Sequence, residues 1–156
     1  MIIIKKSNAA DTRTADKNTS FIEFSAANSS HINDVSRIMD MLADNLKERG
    51  KLHDHTKKET EKAQYNAFKN ALLGKEEFSK SDWYKMHINS ERHHLFSNCP
   101  LDVNLIDILE MISDITAAAL ARSGERVDDI AIPDKILKVA LKNTIRLIND
   151  NIKLDE

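Results

Sequence analysis

The stretch Gly50-Lys51-Leu52-His53-Asp54-His55-Thr56-Lys57 puts two imidazoles, a carboxylate and a lysine within five positions, directly after a residue suited to end a helix. Along a continuous helix, neighbouring side chains diverge by about 100°. At a bend, His53 and Asp54 can instead turn toward one point. Neutral imidazole and ionised carboxylate are ligand types shared by zinc, manganese and iron sites. The pair therefore offers half of a coordination shell, and the chain on either side must supply the rest.

The surrounding composition favours helices. Three glycines, two prolines, 5% aromatic and 31% charged residues in 156 fit an all-α protein better than a turn-rich sheet protein. The length suits one domain able to bury a core without disulfides. A formal charge of -2 gives no broad attraction to nucleic acid or an anionic membrane, so no stable nucleic-acid complex is expected. The single Cys99 excludes an internal disulfide, and Met1-Ile2-Ile3-Ile4 is too short an apolar run for a signal peptide or membrane span. Both point to a cytoplasmic protein, with room for a homodimer.

Upstream of the His-Asp pair, residues 1–27 read as an N-terminal arm and lead-in, and 28–156 as the helical domain. Ile2, Ile3 and Ile4 suit a short strand, and Phe21–Ala27 a brief helical lead-in. Asn28-Ser29-Ser30 can cap a long helix. In it Ile32, Val35, Met39, Leu42 and Leu46 recur at alternating steps of three and four, the spacing of one buried stripe. His31 borders this stripe and should point inward, as a hydrogen-bonded core residue or as a ligand. Gly50 should close the helix.

Downstream, Glu59–Leu73 reads as a helix stopped by Gly74, and Ser79 or Ser81 can cap the next one. On that helix Trp83, His87 and His94 share a face while His93 points elsewhere. His87 and His94 are two turns apart, about 10 Å, too far to grip one ion unless the helix ends or bends between them. After Cys99-Pro100, Asp102 or Asn104 begins a wide apolar helix that carries Asp107, Glu110 and Asp114 on an adjoining face, with Arg122 two turns further and Gly124 at its end. Asp134 to about Ile152 forms the last helix. Five or six helices are expected in all.

His31, then His53-Asp54 after 22 positions, then Lys57 and a later helical aspartate resemble the HD superfamily of metal-dependent phosphohydrolases, including its small phage-encoded members, over about His31 to Arg122. The resemblance implies an HD-like helical bundle in which His31, His53, Asp54 and Asp114 hold one divalent ion. His87 and His93 or His94 would serve a second, with Asp54 bridging if both sites fill. It implies one or two ions per chain of Mn, Fe, Ni, Co, Zn or Mg, and a nucleotide or related phosphoester as substrate.

Within this reading Asp54, Lys57 and Glu110 carry the catalytic roles: Lys57 as a point charge on phosphate, Glu110 as a proton carrier or as the orienting partner of a ligating histidine. Arg122 could bind a substrate phosphate through its guanidinium fork, and Asp107 is the substitute for Asp114. The competing readings are a non-catalytic helical module that binds metal or nucleotide, as a phage regulator would, and a helical interaction protein with incidental histidines.

Overall fold

The computed structural model describes residues 1–155. It is built mainly of helices: α1 (Phe21–Leu52), α2 (His55–Glu59), α3 (Glu61–Leu72), α4 (Asp82–Ser90), α5 (Leu105–Ser123) and α6 (Asp134–Asp150), with a 3-10 turn at Phe78–Lys80. Two short strands, β1 (Ile2–Lys5) and β2 (Ile152–Asp155), pair in parallel with Ile2 opposite Ile152. The all-α expectation with an N-terminal strand holds. The partner strand was not foreseen, because Ile152 reads as the end of a helical repeat.

Contacts divide the chain into two compact units, Met1–Asn45 with Ile145–Glu156, and Leu46–Thr144. The division differs from the expected boundary at residue 27, which lies inside α1. Asn28-Ser29-Ser30 does not start a helix, because the helix has already been capped upstream. Ser20 Oγ accepts from Glu23 N at 3.3 Å while Glu23 Oε2 accepts from Ser20 N at 2.8 Å, a reciprocal capping box. Nor does Gly50 end the helix; the residue that takes the left-handed backbone is Asp54, at φ 55°.

In the Leu46–Thr144 unit, Leu95, Val103, Ile108, Met111 and Ala140 form the buried core, with Ile112, Ile115, Ile136 and Val139 packed against it. This fixes α5 against the first part of α6. The start of α5 is held by Asn104, whose side chain accepts from Ile106 N and Asp107 N, while Asp107 accepts from Asn104 N. Asp107 is fully buried, and Arg92 meets it through two parallel bonds of 2.8 Å. Arg49 adds a second guanidinium at 3.5 Å. Asp107 is thus a structural anchor and not the substitute metal ligand.

Removing one member of a buried ion pair leaves the other charge unpaired, at a cost of about 3–5 kcal/mol. Asp107→Ala should lower the unfolding free energy in urea by about that amount. A loss below about 1 kcal/mol would show that solvent replaces the pair without penalty.

Candidate metal centre

Between Leu52 and His55 the chain leaves one helix and enters the next through Asp54, and the left-handed backbone there aims its carboxylate inward. Such a conformation is unfavourable for most L-residues and tolerated by aspartate. Its persistence at the point where the side chains of three helices converge is the kind of local strain found at functional sites. Asp54 Oδ2 binds the Lys57 ammonium and lies 3.3 Å from His53 Nε2. Oδ1 lies 3.5 Å from His87 Nε2 and 3.7 Å from His93 Nε2. His94 Nε2 is 2.9 Å from His87 Nε2. Four imidazoles therefore gather their Nε2 atoms around one carboxylate.

Two overlapping groups have metal-binding spacing, His53 with Asp54 and His93, and Asp54 with His87 and His94; Asp54 belongs to both. Asp114 Oδ1, 3.5 Å from His53 Nε2, borders the first. Ligands about 2.1 Å from a first-row divalent ion stand roughly 3.4 Å apart in a tetrahedron and about 3.0 Å apart as neighbours in an octahedron. The observed separations of 2.9 to 3.7 Å lie within about 0.3 Å of that range. Asp54 Oδ1 and both ring nitrogens of His93 are buried without a hydrogen-bond partner. Buried polar atoms are rarely left so. The residues fit a divalent cation.

The far sides of the rings are tied to the protein. His53 Nδ1 meets Glu110 Oε1 at 3.0 Å, and since a carboxylate only accepts, Nδ1 carries the proton and Nε2 keeps its lone pair. His93 Nδ1 lies 3.2 Å from the same oxygen without hydrogen-bond alignment. His87 Nδ1 is 2.7 Å from Thr56 Oγ1, which is itself 2.6 Å from Glu91 Oε1. The single hydroxyl proton of Thr56 must go to the Glu91 carboxylate, so His87 Nδ1–H donates to Thr56 and the His87 Nε2 lone pair also faces the centre. The Thr56 backbone N–H donates to Glu91 Oε1 at 2.9 Å, and His55 Nδ1 is 3.1 Å away. Trp83 lies flat on His87, with centroids 5.0 Å apart and planes at 11°.

Burial raises the cost of charge on every group here, and the neighbours decide the outcome. For Asp54 the hydrogen bond and charge of Lys57, with His53 and His87, outweigh burial and lower its pKa. Glu91 is also lowered, burial being overcome by Thr56 and then by His55 and His87. For His93, Glu110, Asp114 and Asp54 overcome burial and raise its pKa. The carboxylates that draw a proton to that ring would draw a metal cation equally. His94 is pushed down to about 4 by burial and by the neighbouring His93 and His87. His87 is lowered as well, chiefly by burial.

Several expectations change. His31 joins neither group: it is exposed in the terminal unit, on a helix that continues unbroken to Leu52. His93 joins instead, because α4 ends at Ser90 and Glu91 is extended, which turns the following His93-His94 back toward Asp54. Glu110 is the orienting partner and not a free proton carrier, since it is buried against His53 and His93 with Arg49 Nε 3.6 Å away. Arg122 is exposed in the last turn of α5 and, among the described residues, makes no ion pair; two turns and about 12 Å of helix separate it from Asp114. Lys57 contacts Asp54, whereas Asp114, expected as a ligand, belongs to neither group and stands beside the first, 3.5 Å from His53 Nε2. Sequence reading missed Arg49, Thr56 and Glu91, whose roles depend on partners more than 30 positions away.

A cavity of about 460 Å³ adjoins the first group. His53, Glu110, Asp114 and Arg49 line its polar side, and Leu46, Leu109 and Ala117 its apolar wall.

The model of a family of unknown function, DUF5662, matches residues 21–151 of the chain. No curated protein and no solved structure matches it. Among the described residues no helix is long and apolar enough to cross a membrane.

Elemental analysis should find divalent metal in the wild type and in His31→Ala, and less than about a tenth as much in folded His53→Ala, Asp54→Ala or His93→Ala, given the 10–100-fold that even an outer partner contributes. Loss of metal in His31→Ala would reinstate that residue as a ligand. In chelator, His94 adds a pH term. With its folded pKa near 4 and an ordinary value of 6.5, the unfolded chain takes up the proton first, so this residue's contribution to stability falls as pH drops from about 6.5 toward 4. His94→Gln should therefore lose less stability than the wild type between pH 7 and 5 in urea titrations; equal losses would refute the assignment.

Proposed function

We propose, for a chain that belongs to DUF5662, a family of unknown function, that it is a divalent-metal-dependent phosphohydrolase acting on a nucleotide or a related small phosphoester. The observation that carries this reading is the Asp54 carboxylate set among four imidazole Nε2 atoms, with His53 and His87 fixed in the ligating tautomer from behind. The HD-like order of His53-Asp54, further histidines and a helical Asp114 agrees with it.

A divalent cation bound there supplies Lewis acidity, making a water easier to deprotonate and offsetting charge on phosphoryl oxygens. His53, Asp54 and His93 would hold one ion, with Asp114 beside them; Asp54, His87 and His94 would hold another. Asp114 both borders this group and faces the cavity, so its carboxylate is placed to accept a proton from an attacking water. Lys57 uses one N–H on Asp54 and has two further donors for a phosphoryl oxygen. Arg49 and Glu110 keep the histidines oriented. The cavity volume is in the range of small-molecule sites, and its apolar wall suits the base or another flat, weakly polar part of a phosphoester.

A metal- or nucleotide-binding module without turnover is the second reading. It is favoured by the cations: Arg49 faces Asp107 and Glu110, Lys57 is engaged by Asp54, and Arg122 lies apart.

Phosphate release should be measured from nucleoside mono-, tri- and cyclic phosphates with metal-loaded protein. Turnover is expected in the wild type, reduced about 10²–10⁴-fold in Asp114→Asn and lowered in Lys57→Ala with metal content retained. Stoichiometric metal without release from any of these substrates would exclude this hydrolase activity and leave the binding module.

A further inference from the structure

The stripe Ile32, Val35, Met39, Leu42 and Leu46 has the spacing of a buried seam, yet α1 leaves most of it in solvent: Ile32 is 68% exposed, Val35 45%, Met39 60% and Leu46 40%. Toward the start of the same helix, Phe21 is 81% and Phe24 43% exposed. Among the described residues of the terminal unit only Ile2 and Asp34 are buried. So many exposed apolar side chains with so little core is uncommon in a protein that works alone.

We infer that this face of α1 pairs with the same face of a second copy of the chain, forming a homodimer through a two-helix seam. Steps of three and four repeated from Ile32 to Leu42 are the heptad spacing read by another helix with the same repeat. The positions flanking the seam, Ser36 and Ala43 on one side and Ile38 and Asn45 on the other, carry no charge. Charged flanks are what select a foreign partner or repel a like one, and here neither device is present. Ser36 and Ala43 are also small enough for close helix approach. Isologous pairing with an identical copy is the commonest assembly.

The area is adequate. The two phenylalanines present on the order of 250 Å², and with Ile32, Val35 and Met39 the face comes to roughly 500–600 Å², to which flanking side chains add toward the about 800 Å² per partner of a standard interface. The dimer does not depend on the hydrolase reading, since Ile32, Val35, Met39 and Leu42 belong neither to the metal centre nor to its cavity; Leu46, which lines that cavity, lies beyond the seam.

The test is sedimentation equilibrium of the full-length chain across the micromolar range. Twice the chain mass is expected for the wild type and for Asn33→Glu, which lies off the seam. The double variant Val35→Glu with Met39→Glu should raise the dissociation constant at least about a hundredfold and run as a monomer. A wild-type monomer throughout, or a dimer that survives the double variant, overturns the proposal. Should the variant fail to fold, peroxide oxidation of the wild type decides: Met39 should become protected as concentration rises while the exposed Met1 does not, and an unprotected Met39 at dimer concentrations rejects the seam.

Discussion

The arrangement of this chain turns on one carboxylate. Asp54 occupies a left-handed backbone position, and that conformation lets the turn between α1 and α2 aim a charged group toward the rings of His53, His87, His93 and His94. An isolated buried carboxylate is very costly. Here Lys57 meets one oxygen, while the other faces imidazoles without a hydrogen bond. The result is a focus of negative charge with lone pairs around it, which suits a cation far better than it suits a folded protein seeking stability alone.

The outer supports show the same division of labour. Glu110 on α5 and the Thr56–Glu91 pair hold different histidines, each accepting from a ring nitrogen and so turning the other nitrogen inward. Both supports are themselves tied down. Glu110 rides on a helix whose first turn is pinned by Asp107 and Arg92, and Glu91 is fixed by two bonds to Thr56. A ligand set braced in this way loses little conformational entropy on binding an ion, which is the physical content of a preorganised site.

How much of this was legible depended on distance along the chain. The His-Asp pair was readable because adjacent residues at a bend need no further information, and local chemistry narrowed two helix starts to Ser79 or Ser81 and to Asp102 or Asn104, of which Ser81 and Asn104 are the caps. The break after Ser90 was readable only as a possibility, and it decided which of His93 and His94 could reach Asp54: both do. Arg92 drew no role from the sequence because Asp107, the buried partner it meets, lies 15 positions away. His31 was misplaced for a related reason. A 3.6-residue repeat identifies an apolar face and says nothing about whether this chain or another covers it.

That last distinction links the two halves of the molecule. In the Leu46–Thr144 unit the periodic residues Ile108, Met111 and Ile112 of α5 do what periodicity suggests and pack into a core. In the terminal unit the periodic residues of α1 do not, although their spacing is as regular. The hydrophobic effect makes no distinction between an internal and an external partner, since only the apolar area removed from water counts. A helix that satisfies its hydrogen bonds internally while leaving its seam exposed has completed its secondary structure without the burial that normally supplies most helical stability in proteins.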